Sequence, residues 1–251
     1  VEPVYRTIIG IARTVFAFEG LKFTVKGDRH IPATGGAVIA INHTGYMDFT
    51  YAGLPARRVK RYIRFMAKKE VFDNKVSGPI MRALKHIPVD RAAGSDSYRA
   101  AVDRLRRGEL VGVYPEATIS RSFEIKAFKS GAARMAIEAD VPIIPIVIWG
   151  AQRVWTKGFP KRLGRTNTPI SIAVGEPIAP FEPASELTDK VHTTMEVMLA
   201  DLQRDYDHPA GAYWVPARLG GSAPTLEEAN RMDLEESEAK ARARRSRETG
   251  H

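Results

Sequence analysis

The chain has 251 residues, 44% of them hydrophobic, with 38 lysines and arginines against 29 aspartates and glutamates and a formal net charge of +9. That length fits one large domain with ample room for a core, and the lack of any cysteine excludes thiolate catalysis, disulfides and Cys-based metal sites while fitting a reducing compartment. The excess charge belongs to the body: residues 1–221 hold 32 basic against 22 acidic groups and residues 222–251 six against seven, which points to phosphates, an anionic membrane face or nucleic acid as partners.

No apolar run approaches the roughly 18 residues of a membrane span, and no secretory signal pattern is read. Residues 4–18 place Val4, Ile8, Ile11, Val15 and Phe18 at helical spacing, with Tyr5, Ile9 and Phe16 widening the apolar arc and Arg6 and Arg13 on the other side. This predicts an amphipathic helix, suited equally to a membrane interface and to packing on the body. Residues 21–26 read as a strand stopped by Gly27 and Asp28, and residues 28–36 as a loop.

Residues 37–41, Ala-Val-Ile-Ala-Ile, read as a buried strand. It ends in Asn42-His43-Thr44, turns through Gly45 and reaches Asp48. On a continuous helix two residues five apart diverge by about 140°, so His43 and Asp48 can meet only across a turn. If they do, the carboxylate fixes the imidazole tautomer and leaves the second nitrogen as a proton acceptor, the arrangement a general base needs. The spacing alone is common and gains weight from what accompanies it.

A short helical segment follows to about Leu54, then a basic run. Arg57, Arg58, Lys60, Arg61, Arg64, Lys68 and Lys69 are interleaved with Val59, Tyr62, Ile63, Phe65 and Met66. Residues 62–67 read as a strand, and the charge around it serves either as a solvated face or as a site for an anion or lipid headgroup. Residues 76–85 are helical in pattern, and residues 86–91 form a strand ending on Arg91, which can fork two hydrogen bonds onto a phosphate or pair with Asp90.

Residues 95–107 are a helix stopped by Gly108. Residues 110–114 are an apolar strand running into Pro115-Glu116-Ala117-Thr118, a second polar cluster at the end of a buried strand, where open α/β sheets bind ligands. Phe128-Lys129-Ser130-Gly131 opens a helix through Asp140, and Lys129 at that N-terminus suits an anion. Residues 141–149, VPIIPIVIW, are too β-branched for a helix, and their prolines predict a strand reached from an edge or loop. Residues 170–174 are another strand and residues 187–206 a long amphipathic helix.

Strands alternating with helices predict an α/β fold, a single domain with a mostly parallel or mixed central sheet flanked by helices. The divisions expected are an N-terminal amphipathic, membrane-interfacial helix over 1–20, a main domain over 21–215 and a charged tail over 216–251. The arginines at 242, 244, 245 and 247 follow the acidic stretch 235–238, so this tail reads as a soluble helix or a disordered segment and no nucleic-acid partner is expected.

Four blocks stand in order: Asn42-His43-Thr44-Gly45-Tyr46-Met47-Asp48, Ile87-Pro88-Val89-Asp90-Arg91, Tyr114-Pro115-Glu116-Ala117-Thr118 and Val141-Pro142-Ile143-Ile144-Pro145. Together they resemble the glycerolipid acyltransferases of the lysophosphatidic acid (1-acyl-sn-glycerol-3-phosphate) acyltransferase family. The resemblance implies that His43 is the general base and Asp48 its orienting partner. It further implies that Arg91, Glu116 and Thr118 contact the acceptor, with Lys68 near the histidine and Lys129 near the phosphate. Where most members have Gly-Thr-Arg after Pro-Glu, this chain has Ala117-Thr118-Ile119, so that arginine is missing and Arg121 or Lys126 is left to supply the charge.

What the resemblance implies about activity is an O-acyltransferase of phospholipid biosynthesis. It would move a fatty acyl group from acyl-CoA or acyl-carrier protein to a hydroxyl of a phosphorylated glycerolipid acceptor, lysophosphatidate giving phosphatidate, with glycerol 3-phosphate or a glycolipid as alternative acceptors. An anionic membrane surface is the further partner, with the protein peripheral or monotopic on its cytoplasmic side. The chain has no cysteine and no Gly-x-Ser-x-Gly elbow for an acyl-enzyme, and its histidines lack metal-ligand spacing. Direct transfer is therefore expected with no metal or other cofactor, the oxyanion meeting backbone N–H groups at the His43 turn or Lys68. A non-catalytic lipid-binding protein would keep the fold and the basic face, but would have little use for both His43 and Asp48.

Overall fold

The computed structural model describes residues 3–90 and 94–249. Its strands are β1 (Lys22–Lys26), β2 (Ala37–Ile41), β3 (Ile63–Lys68), β4 (Ile87–Val89), β5 (Leu110–Val113), β6 (Ile143–Trp149) and β7 (Pro169–Val174). They form one sheet in the order β1-β7-β6-β2-β5-β3-β4, in which every neighbouring pair is parallel except β6 with β7. β2, β5 and β6 are buried along their whole length, as their uninterrupted apolar sequences require of strands covered on both faces. At the rims, β1 leaves Lys22 and Lys26 exposed, and β4 is three residues long with Pro88 at its centre.

The helices are α1 (Pro3–Phe18), α2 (Asp48–Ala52), α3 (Lys69–Asp73), α4 (Ser77–Ala83), α5 (Gly94–Arg106), α6 (Gly131–Ala139), α7 (Ala184–Arg204) and α8 (Leu226–Thr249). This is the α/β architecture that the alternation of patterns predicts. Side chains alternate across each strand, so β2 turns Val38 and Ala40 toward a core built with α5, α6 and α7, and Ile39 and Ile41 toward one that includes Phe16 of α1 and Tyr51 of α2. Trp214, Val215 and Ala223 join the first core and Ala229 is buried at the base of α8. The packed body thus runs past residue 215 before the chain leaves it.

Helix α1 packs on the body along one side and leaves apolar side chains exposed along another. Tyr5 and Phe16 are buried, and the Tyr5 hydroxyl donates to the Ile63 carbonyl at 3.0 Å while its ring stacks on Tyr62. Val4, Ile11, Val15 and Phe18 are exposed, and at 100° per residue they fall on one stripe facing away from the body.

Pro145 differs from expectation, because it sits inside β6, a central strand, instead of at an edge or loop. N–H and C=O of one strand residue point to the same side, and the Pro145 carbonyl accepts the Gly175 N–H at 2.8 Å. Its missing N–H therefore faces β7, where paired residues begin only at Ile146 with Val174, and the bonds to β2 are untouched. Gly175 lies against the proline ring: a Cβ there would come within 2.6 Å of Pro145 Cγ and 2.9 Å of Met198 Sδ. Gly175→Ala is therefore expected to lower the unfolding free energy by about 1–3 kcal/mol, read from the midpoint of a denaturant titration.

Candidate active site

The exits of β2, β5 and β6 lie on one edge of the sheet, and the site is assembled from the three loops that leave them. At the end of β2 the Asn42 carboxamide takes the place of another strand residue. Its Oδ1 accepts the Ile148 N–H at 2.7 Å and its Nδ2 donates to the Ile148 carbonyl at 3.0 Å. The pairing with β6 is thus completed by a side chain while the backbone is free to turn, and the turn presents His43.

Six residues after Asn42, Asp48 opens α2 and points its carboxylate back into the turn. A single oxygen, Oδ2, accepts from His43 Nδ1 at 3.0 Å, the Thr44 N–H at 2.8 Å and the Gly45 N–H at 2.9 Å. Asp48 is wholly buried, whereas the His43 side chain is 20% exposed. A carboxylate can only accept, so Nδ1 carries the imidazole proton and Nε2 is the basic nitrogen. The Tyr114 ring at the end of β5 stacks on the imidazole, with centroids 4.1 Å apart and planes 23° from parallel, covering one face of the ring.

The His43 backbone is gripped by the loop after β5. Its N–H donates to Glu116 Oε1 at 2.8 Å, its carbonyl accepts the Ser120 N–H at 2.7 Å, and Glu116 Oε2 accepts the Lys126 N–H at 3.1 Å. The loop after β6 holds the other side: Thr156 Oγ1 donates to the Thr44 carbonyl at 2.7 Å, and the Tyr46 N–H donates to the Trp155 carbonyl at 3.0 Å. The N–H groups of residues 43 to 46 are all committed to these partners, so of the two oxyanion-donor sources expected, the backbone of the His43 turn is spent.

The other expected site residues are distributed unevenly. Glu116 joins the His43 turn, but both its oxygens face backbone N–H groups rather than open space. Thr118 lies in the same loop and accepts from Lys126 Nζ at 2.7 Å. Lys68 is exposed at the exit of β3, and Lys129 is exposed just before α6 with its backbone N–H on the Pro115 carbonyl. Arg91 lies outside the described residues. Much of the basic run serves the fold: Arg64 is buried on Glu109 and the Leu84 carbonyl, and Arg61 donates to the carbonyls of Pro32 and Gly108. Ile119, where the family arginine would stand, is buried, and Ala117 before it adopts a left-handed φ of 61°, a conformation that suits the family's glycine better. No group of three or more His, Cys, Asp or Glu suited to a metal occurs among the described residues.

Tyr114, Ser120, Trp155 and Thr156 support the histidine without having been read as doing so. Tyr114 begins a recognised block, but nothing in the sequence ties Thr156 to Thr44 across 112 positions.

A histidine at the exit of a parallel strand, oriented through Nδ1 by a buried aspartate and with Nε2 unengaged, is the equipment of a general base acting on a hydroxyl. The sequence profile of the family described as Acyltransferase matches residues 22–149, the stretch that contains all four blocks. The chain belongs to the acyltransferase family, in the branch of the lysophosphatidic acid acyltransferases. It is 31% identical over 158 residues to the 1-acyl-sn-glycerol-3-phosphate acyltransferase of Bacillus subtilis (strain 168), across 61% of this chain and 72% of that one. It is 32% identical over 146 residues to the human 1-acyl-sn-glycerol-3-phosphate acyltransferase beta, across 56% and 51%, and so spans about half the length of that relative. The fold is similar to the crystal structure of the 1-acyl-sn-glycerophosphate (LPA) acyltransferase PlsC from Thermotoga maritima, with a TM-score of 0.66 at 23% identity and 81% of each chain covered.

Burial pushes the Glu116 carboxyl up to about 8, against the smaller opposing pull of its two N–H bonds and Lys126. A carboxyl that holds its proton more tightly folded than unfolded favours the folded state at low pH; that contribution is complete below the ordinary carboxylate range and is lost as pH rises toward 8. Thermal melts between about pH 5 and pH 9 should therefore show a decline that is shallower in Glu116→Gln, which has no proton to lose. Equal slopes in the two proteins would exclude Glu116 as the source.

Proposed function

We propose that the chain transfers a fatty acyl group from acyl-CoA or acyl-carrier protein to the free hydroxyl of lysophosphatidate, giving phosphatidate. The observation that carries this reading is the Asp48–His43 pair with Nε2 unengaged at a strand exit, in a chain of this family. His43 Nε2 takes the proton of the acceptor hydroxyl as its oxygen attacks the thioester carbon, and Asp48 stabilises the imidazolium. Collapse of the tetrahedral intermediate breaks the carbon–sulfur bond, and the imidazolium returns the proton to the departing thiolate. Arg91, Lys129 and Thr118 stand as the acceptor's contacts on the family pattern, Glu116 acts on the acceptor through the His43 turn that its two oxygens hold, and Lys68 stands as a cation for the oxyanion.

A groove under α1 supports a long-chain substrate. It is lined by apolar side chains including Ile8, Ala12, Phe16, Leu54 and Phe65, together with Arg13 and Arg57. Phe49, which follows Asp48 in α2, also lines it. Replacement of the family arginine by Ile119 is the observation that favours the second reading, transfer to glycerol 3-phosphate or a glycolipid. An acceptor panel with labelled acyl-CoA decides between them, and His43→Ala should lose at least about 10²-fold in rate on the preferred acceptor while staying folded. Asp48→Asn should lose less, and the double variant little more than His43→Ala, since both act in one step. Near-normal turnover by folded His43→Ala protein would remove His43 as the base.

The exposed stripe on α1 supports contact with an anionic membrane from outside it, since no described helix is long and apolar enough to cross one. Ile11→Glu together with Phe18→Glu should weaken binding to phosphatidylglycerol vesicles in a sedimentation assay and leave the thermal midpoint unchanged, because neither side chain is packed on the body. Unchanged vesicle binding would reject this role for the stripe.

A further inference from the structure

Three cations converge beside the His43 turn without being part of the dyad. Arg121 and Lys126 come from the loop after β5 and Lys157 from the loop after β6. Each is tied closely to the histidine's supports: Ser120, next to Arg121, bonds the His43 carbonyl; Glu116 joins the His43 N–H to the Lys126 N–H; and Thr156, next to Lys157, bonds the Thr44 carbonyl. Their side chains are only 17%, 10% and 19% exposed.

What they meet is a pair of carboxylates on α8. Asp233 Oδ1 accepts from Arg121 Nε at 3.2 Å and Lys157 Nζ at 3.0 Å, and its Oδ2 accepts from Lys126 Nζ. Glu236 Oε2 accepts from Arg121 Nη2 at 2.8 Å and Lys157 Nζ at 2.6 Å. Beyond Ala229, Asp233 and Glu236 are the described side chains of α8 that are not exposed, while Met232 and Leu234 stand in solvent. This stretch of helix is therefore fastened by charge and not by apolar packing.

Three largely desolvated cations require an anion nearby. A phosphate monoester, with a charge of about −1.5 to −2 and three acceptor oxygens, offers in one group what the two carboxylates offer together. We propose that Arg121, Lys126 and Lys157 form a phosphate site beside the catalytic histidine, and that α8 fills it in cis through Asp233 and Glu236 until a phosphate-bearing ligand displaces the helix. This rests on the reading that the acceptor carries a phosphate; the acceptor's headgroup then takes the site and occupies the three cations in place of the arginine that Ile119 replaces. Helix and acceptor compete, so the acceptor's apparent affinity is reduced by the fraction of molecules with α8 closed.

The test has two independent readouts on the full chain. In hydrogen exchange at matched ionic strength, inorganic phosphate should accelerate the amides of residues 230–243 relative to chloride, because a released, highly charged helix frays. Lysophosphatidate should do the same, and a monoacylglycerol with the same acyl chain should not. In steady state, the Asp233→Asn, Glu236→Gln double variant should lower KM for lysophosphatidate at least about fivefold with kcat unchanged, and strengthen inhibition by inorganic phosphate similarly. Release by phosphate but not by lysophosphatidate would uphold the site and overturn its assignment to the acceptor. Release by phosphate without any turnover of lysophosphatidate would uphold the site while the acyl-transfer reading falls. Robust turnover with unaltered α8 exchange and an unaltered or raised KM in the variant would overturn the proposal and leave that reading standing; the exchange arm needs no substitution, so a misfolded variant does not blunt it.

Discussion

One oxygen atom holds the site together. Asp48 Oδ2 gathers the imidazole and two successive backbone N–H groups, so the same atom shapes the turn and orients the imidazole. Because it is wholly buried and takes charge-assisted bonds, each contact is stronger than a neutral equivalent in water. The geometry also explains a spacing that a helix could not use: the chain must leave β2, reverse through Thr44 and Gly45 and begin α2 with the aspartate itself. Gly45 has no room for a side chain, since a Cβ would lie 2.9 Å from the Trp155 carbonyl. Asn42 makes the reversal affordable by finishing the sheet with its own amide.

The turn is nevertheless not self-sufficient, because its remaining polar groups are met by residues far along the chain. Glu116 and Ser120 take the backbone of His43, and Thr156 takes that of Thr44. These contacts exist because β5 and β6 flank β2 and all three run in the same direction, which brings three loops to one edge. Sheet topology, more than any local motif, is what converts three strand ends into one site.

That division explains what could be read in advance. The strands were legible because central strands of a parallel sheet are apolar throughout, and the dyad because both members lie within one short turn. Glu116 was visible as a charged residue at a strand exit, but not that its carboxylate would be turned onto backbone N–H groups. The basic run showed its charge plainly and concealed its use: Arg61 and Arg64 satisfy carbonyls and Glu109, which depends on which segments lie beneath them. Asp233 and Glu236 were the least legible of all, since within their own segment they are ordinary members of an acidic helix. Their significance comes from three cations more than 70 positions away.

The rims of the sheet bear on a different property, the protein's behaviour among copies of itself. An unpaired strand edge is a template onto which another chain can add a strand. Here one rim is β1, with exposed lysines at both ends, and the other is β4, three residues long and interrupted by a proline that offers no N–H. Incoming backbone would meet like charge at the first rim and a gap in the hydrogen-bond ladder at the second. Growth by sheet extension is thus discouraged on both sides of the molecule.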